Sequence, residues 1–121
     1  MLRRMRRDRV WRDGERAAWE AYRRRGYRLV ARNWRSPLGE LDLVLARGEL
    51  LVFCEVKART SAVLGGPFDA VTPAKQRKLR HLAEAFVGAV RPTGSTYRFD
   101  VASVTWGAGN APDVHLFEDA F

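Results

Sequence analysis

Two apolar segments separated by a short polar break constrain the fold of this chain more than any other feature. They cover residues 41–46 and 50–56, and a break that contains glycine between two such runs is typical of a β-hairpin. Gly48 and Glu49 suit a two-residue type II′ turn, which prefers glycine in its first position. The sequence therefore predicts a hairpin whose two strands are mostly covered on both faces.

The predicted turn places four charged residues together at the open end of the hairpin. Asp42 then faces Glu55, and Glu40 faces Lys57. Opposed residues of an antiparallel pair share a face, with Cβ atoms roughly 4.5–5.5 Å apart. Two carboxylates about 4 Å apart repel by roughly 4 kcal/mol at an effective dielectric of about 20, so they must hold a cation or share a proton. Since no His or Cys lies on that face, the expected cation is Mg²⁺ or Mn²⁺.

Two helices and two or three further strands are predicted outside the hairpin. Asp13 is a capping residue for the first helix and Gly26 ends it, while Thr72 and Pro73 begin the second. The predicted bounds are a helix over 12–25, a strand over 27–34, a loop over 58–71, a helix over 73–90 and strands over 97–106 and 113–117. This order predicts an α/β fold with a mixed central sheet of four to five strands flanked by helices.

The positive charge of the chain lies in its first third. The net charge is +8, and residues 1–35 carry thirteen arginines against four acids. A basic block of this kind favours binding to a polyanion, because neutralising phosphates releases counterions. Residues 1–11 are predicted to be a separate basic segment, for which a disordered tail and a phosphate-binding segment are equally open. Residues 12–121 are predicted to be a single domain.

Cysteine usage and hydropathy indicate a cytoplasmic protein. The single cysteine, Cys54, lies in the apolar hairpin and is interpreted as a small core residue in a reducing compartment, with an exposed free thiol as the alternative. No apolar run approaches the ~20 residues that a membrane span needs. The basic N-terminus has no apolar segment behind it, so it does not have the pattern of a signal peptide.

An acid on a first helix, an aspartate at a strand end and Glu-x-Lys on the next strand form the pattern of the PD-(D/E)xK nuclease superfamily. More narrowly, the chain resembles the YraN family of small bacterial proteins, a group without a settled function. Its restriction-endonuclease-like fold is similar to that of archaeal Holliday-junction resolvases. The resemblance is carried by Gly14-Glu15, Gly26-Tyr27, Asn33, Gly39–Leu43, Phe53–Arg59, Gly65, Pro67, Lys75 and Arg98–Val101. Leu41 departs from the pattern, since the superfamily's name places proline there, although members often lack that proline.

The resemblance implies a role for each matching residue. Asp42, Glu55 and Glu15 would bind Mg²⁺ or Mn²⁺ together with the carbonyl of Val56. Lys57 would orient or help to deprotonate the attacking water and stabilise charge on the phosphate. The implied activity is endonucleolytic hydrolysis of phosphodiester bonds in DNA, with junctions or flaps as candidate substrates. A homodimer is one expectation, since cutting both strands of a junction requires two sites.

Each candidate residue also has an interpretation without catalysis. Asp42 and Glu55 would be a chance pair at a solvated strand end, and Lys57 would form a salt bridge with Glu40. Glu15 would be an acid that the first turn of its helix favours.

Two other functions stay open beside the nuclease. One is a nucleic-acid-binding module whose nuclease-like site is vestigial, and the other is an accessory protein that binds a protein partner through its N-terminal arginines. A solvated basic face, rather than a phosphate-binding surface, is the preferred interpretation of Lys75, Lys78 and Arg80.

Overall fold

The structure is a computed structural model that describes residues 2–59, 71–107 and 111–121, with side chains from Arg9 onward. Its elements are α1 (Leu2–Arg24), β1 (Arg28–Ser36), β2 (Gly39–Arg47), β3 (Leu50–Arg59), α2 (Pro73–Val90), β4 (Thr96–Thr105) and β5 (Asp113–Phe117). The loop predicted over residues 58–71 lies, apart from its two ends, outside the described residues.

The five strands form one sheet in the order β1-β2-β3-β4-β5. Strands β2 and β3 pair antiparallel from Leu43–Cys54 to Arg47–Leu50, which is the register that the Gly48-Glu49 turn predicts. Strand β4 runs parallel to β3, because α2 crosses over between them, and β5 returns antiparallel to β4. The predicted fold class is confirmed: a mixed five-stranded sheet flanked by two helices, an arrangement consistent with the restriction-endonuclease-like fold.

The two helices cover opposite faces of the sheet. Helix α1 packs Ala18 and Tyr22 on the face that carries Leu43, Leu45, Val52, Cys54 and Val56. Helix α2 packs Leu79, Leu82, Ala83 and Phe86 on the face that carries Val44, Ala46, Leu51 and Phe53. The hairpin is therefore buried on both sides, and Cys54 is a buried free thiol, as predicted.

Leu41 lies on the α2 face, although simple alternation along β2 predicts that it shares the α1 face with Leu43. The break coincides with an irregular residue in the neighbouring strand. Strand β1 pairs Arg32 with Leu43 and Trp34 with Leu41, and Asn33 between them has a φ of 54°. A left-handed residue departs from the extended conformation of a strand, so both strands are irregular at this level of the sheet.

Helix α1 is longer than the predicted helix. It begins at Leu2, so Asp13 lies inside it and is not its N-cap. The predicted end is confirmed, since α1 stops at Arg24 and Gly26 follows with a φ of 87°. The proposed division between residues 11 and 12 stays a prediction. Neither described helix contains a stretch long and apolar enough to cross a bilayer.

A glycine lets α1 lie directly against β3. A Cβ atom placed on Gly14 would stand 2.6 Å from the Cβ of Ala58, which is far inside van der Waals contact. Glycine inside a helix ordinarily destabilises it by about 1 kcal/mol relative to alanine, so its presence here is explained by the close packing. The contact fixes the position along β3 at which the next residue, Glu15, lies.

A buried ionic network fixes the C-terminal half of α1. Asp100 on β4 is fully buried and accepts hydrogen bonds from Arg98 Nε and Nη2, both at 2.8 Å. Tyr22 on α1 donates its hydroxyl proton to Asp100 Oδ2 at 2.7 Å, and the backbone N–H of Asp119 donates at 3.0 Å. Both carboxylate oxygens are therefore satisfied, and Asp100 serves the packing of α1 on the sheet.

Replacing Gly14 with alanine is expected to lower the free energy of unfolding. Overpacking against Ala58 costs about 1–3 kcal/mol and exceeds the gain of about 1 kcal/mol in helix propensity. Urea denaturation measures the change. Gly88→Ala in α2 is the matched control, because a Cβ there meets no atom within 4 Å, and it should stabilise. Ala58→Gly should relieve part of the loss in Gly14→Ala. Equal stabilisation by both alanines would contradict this packing.

Candidate metal centre

Asp42 lies where the β2–β3 ladder ends. The last paired residues are Leu43 and Cys54, so the backbones of Asp42 and Glu55 do not continue the predicted register. Instead, the carboxylate of Asp42 accepts a hydrogen bond from the backbone N–H of Val56, with Oδ2 and N 2.8 Å apart. Because the N–H and C=O of one strand residue point to the same side, the carbonyl of Val56 also points toward β2.

Three acids converge at this strand end. Glu15 from α1 and Glu40 and Asp42 from β2 each bring a carboxylate oxygen into a group whose members all lie within 4.8 Å of one another. Glu15 is 1% exposed and Asp42 is 7% exposed. Glu15 does not lie in the first turn of α1, so the helix dipole does not explain it.

Glu40 does not form the ion pair that the sequence predicts. Its Oε2 lies 3.3 Å from Nε of Arg35, the residue opposite it on β1, rather than against Lys57. The splaying of β2 from β3 beyond Leu43 removes the cross-strand geometry that would have placed Glu40 beside Lys57. Glu40 instead contributes a carboxylate oxygen to the acid cluster, a position that the sequence did not predict.

Within the part of the chain that the structure describes, three buried oxygen atoms at the site have no hydrogen-bond partner. They are Oε2 of Glu15, Oε1 of Glu40 and Oδ1 of Asn33. A buried polar atom without a partner costs about 1–3 kcal/mol, and here three such atoms belong to neighbouring residues. Asn33 is a site residue that sequence reasoning did not assign to the chemistry. Asparagine is enriched in the left-handed conformation, but a single sequence does not show which asparagine adopts it.

The electrostatics of the cluster favour a proton or a cation. Burial, together with the charges of Glu55 and Glu15, raises the pKa of Asp42 to about 8. Burial also raises the pKa of Glu15, although a hydrogen bond from the side chain of Asn33 opposes that shift. Oxygen-only donors suit Mg²⁺ and Mn²⁺, and the orphaned oxygens of Glu15 and Glu40 are donors that such a cation would satisfy. The residues present therefore fit a hard divalent cation.

Glu55 lies beside the cluster but is held by a lysine from α2. Its Oε1 is 2.7 Å from Nζ of Lys75, and its charge acts on Asp42. The ammonium group of Lys57 lies next to that of Lys75, and burial and the charge of Lys75 lower the pKa of Lys57. The interpretation of Lys75 as part of a solvated basic face is therefore wrong. The position of Lys75 in the sequence already indicated a nearby anion, because a cation in the first turn of a helix opposes the helix dipole.

The structure thus gathers the predicted residues into two adjoining groups. Glu15 and Asp42 share the acid cluster with Glu40, and Glu55 and Lys57 lie on its α2 side with Lys75. Arg80 lies elsewhere, with its guanidinium 4.7 Å from the ring centre of Phe99.

Comparison with known proteins assigns the chain to a family. It matches the uncharacterised protein family UPF0102 over residues 14–104, which include every residue of the site. The chain belongs to the UPF0102 (YraN) family. It is 40% identical over 109 residues to a UPF0102 protein of Caldicellulosiruptor saccharolyticus, an alignment that covers 89% of this chain and 92% of the relative. It is 46% identical over 99 residues to a UPF0102 protein of Renibacterium salmoninarum, covering 82% and 84%.

A third relative extends the alignment further. A UPF0102 protein of Symbiobacterium thermophilum is 42% identical over 113 residues, which cover 93% of this chain and 96% of the relative. The resemblance to the YraN family that the sequence motifs carry is therefore confirmed. Because the UPF0102 family is described as uncharacterised, membership assigns no reaction.

The raised pKa of Asp42 predicts how stability depends on pH in the presence of EDTA. The folded protein should keep the proton of Asp42 up to about pH 8, whereas the unfolded chain releases it near pH 3.8. Between these values the folded state binds more protons, so stability falls as pH rises. Relative to Asp42→Asn, the wild-type protein should lose at most about 1.4 kcal/mol per pH unit in this window.

Chemical denaturation at several pH values measures this difference. Asp113→Asn, which removes an exposed acid at the start of β5, is the control and should follow the wild-type curve. A wild-type protein that gains stability over Asp42→Asn between pH 4 and pH 8 would contradict the raised pKa.

Proposed function

We propose that this chain is a divalent-cation-dependent endonuclease that hydrolyses phosphodiester bonds in DNA. The observation that carries the proposal is the cluster of Glu15, Glu40 and Asp42, whose buried unpaired oxygens adjoin the lysine pair. Phosphodiester hydrolysis needs a Lewis acid, an activated water and charge neutralisation at the phosphate. Acids and lysines in adjoining groups provide the residue types for all three requirements.

The acids and the lysine at the site would have different roles. Glu15, Glu40 and Asp42 would hold Mg²⁺ or Mn²⁺, with Glu55 and the Val56 carbonyl as further ligands. When bound, the cation would supply Lewis-acid activation of the phosphate and of water. Lys57 orients water and stabilises charge on the phosphate, and its lowered pKa increases the fraction of neutral amine that can accept a proton. The buried wall behind Asp42 keeps bulk water from screening these charges.

Exposed arginines around the site support nucleic acid as the substrate. Arg12 and Arg16 are exposed on α1 near Glu15 in sequence, and Arg32 and Arg35 are exposed on the edge strand β1, where Arg32 acts electrostatically on Glu15. A basic surface of this kind attracts phosphates irrespective of sequence. It supports DNA binding next to the acid cluster. The choice of junction or flap substrates, the homodimer and the cytoplasmic location stay predictions.

One observation favours a second function, a nucleic-acid-binding module with a vestigial site. Glu55 is bonded to Lys75 and does not belong to the acid cluster. If this bond is permanent, the chain binds DNA without cutting it. Asp42→Ala would then strengthen DNA binding, because it removes negative charge beside the phosphate, and no cleavage would be lost. Failure to bind any nucleic acid at about 50 mM salt would favour the protein-binding alternative.

Cleavage of single-stranded, duplex and junction DNA with Mg²⁺ or Mn²⁺ tests the nuclease directly. Asp42→Asn and Lys57→Met should each lower the cleavage rate at least about a hundredfold, since one removes a ligand and the other the lysine beside the phosphate. Asp113→Asn should cut at the wild-type rate. Cutting that persists unchanged in both site variants would exclude this mechanism.

A further inference from the structure

Lys75 stands where a cation is otherwise unfavourable. Thr72 caps α2, its side chain accepting a hydrogen bond from the backbone N–H of Lys75 at 3.2 Å, so Lys75 lies in the first helical turn. The positive end of the helix dipole repels a cation there. Its ammonium group also lies beside that of Lys57. An anion offsets both unfavourable effects on Lys75, and Glu55 supplies one, with its Oε1 2.7 Å from Nζ of Lys75.

The carboxylate of Glu55 has two alternative partners, the lysine pair and the acid cluster. It balances the two lysines in this structure, yet it also acts electrostatically on Asp42, so a short displacement would carry it toward the acid cluster. Its side chain is 10% exposed, whereas that of Lys75 is 35% exposed. An incoming anion would therefore reach Lys75 from solvent, while Glu55 faces the interior. A phosphate oxygen has the charge and the acceptor geometry to replace the carboxylate on Lys75.

We propose that Lys75 is a phosphate-binding residue and that its ion pair with Glu55 is exchanged when nucleic acid binds. In the free protein Lys75 keeps Glu55 away from the acid cluster. When a phosphate takes the place of Glu55 on Lys75, Glu55 is released to complete the cation site beside Asp42. This inference rests on the proposed function and adds a regulatory step to it, in which the substrate itself completes the metal centre.

Removing Lys75 should therefore change two binding reactions in opposite directions. In Lys75→Met, Glu55 is released without substrate, so calorimetric titration with Mn²⁺ alone should show an affinity at least about fivefold tighter than wild type. In EDTA, binding of a single-stranded DNA oligonucleotide should be weaker by about tenfold, because one charge-assisted phosphate contact is lost. Lys75→Arg keeps the charge and should remain closer to wild type in both measurements.

Arg77→Met is the matched control. Arg77 is exposed on α2 two residues after Lys75, so its removal subtracts the same charge without touching Glu55. It should leave Mn²⁺ affinity within about twofold of wild type. A merely structural role for Lys75 would weaken both binding reactions together with the melting temperature, and this result would overturn the proposal.

The outcomes separate this inference from the nuclease proposal. Equal Mn²⁺ affinity in wild type and Lys75→Met would refute the exchange and leave the cation site standing. Tighter Mn²⁺ binding in Lys75→Met, combined with no DNA cleavage by the wild-type protein, would support the exchange and refute the nuclease. Absence of Mn²⁺ binding in both proteins would refute both.

Discussion

The burial of like charges is the constraint on which the rest of the site depends. Glu15, Glu40 and Asp42 bring carboxylate oxygens within 4.8 Å of one another, and two of these side chains are almost wholly buried. At an effective dielectric of about 20, each close pair repels by roughly 4 kcal/mol. The fold therefore needs protons or a cation at this position. The raised pKa values of Asp42 and Glu15 describe the protonated state, and a hard cation would replace those protons.

The scaffold maintains this arrangement through contacts that lie outside the acid cluster. Gly14 lets α1 lie against Ala58, and the network around Asp100 holds the other half of the helix, so Glu15 is fixed at both sides. The left-handed Asn33 lies on β1, beside the point on β2 where the β2–β3 ladder ends. Beyond that point Glu40 pairs with Arg35, and Asp42 accepts a hydrogen bond from the Val56 N–H. Stability contributed by the two apolar layers offsets the unfavourable charge cluster.

Local signals in the sequence predicted local structure well. The Gly48-Glu49 turn fixed the hairpin register, and Thr72 with Pro73 located the start of α2, because turn and cap chemistry acts over a few residues. The Lys75–Glu55 bond, the Arg35–Glu40 pair and the depth of Glu15 were not predicted. Each depends on how a helix or strand packs against residues distant in the chain. Asp13 likewise resembled an N-cap, because no capping residue in the sequence marks the earlier start of α1 at Leu2.

Binding of a divalent cation by the acid cluster is the property on which the proposed chemistry depends. The most direct test is a crystal grown at about pH 8 and soaked in Mn²⁺, with anomalous diffraction used to locate the ion. We expect one strong anomalous peak among the carboxylates of Glu15, Glu40 and Asp42, coordinated by the two oxygens that are otherwise unpaired. A crystal at millimolar Mn²⁺ that shows these side chains in the same positions without a peak would contradict the account.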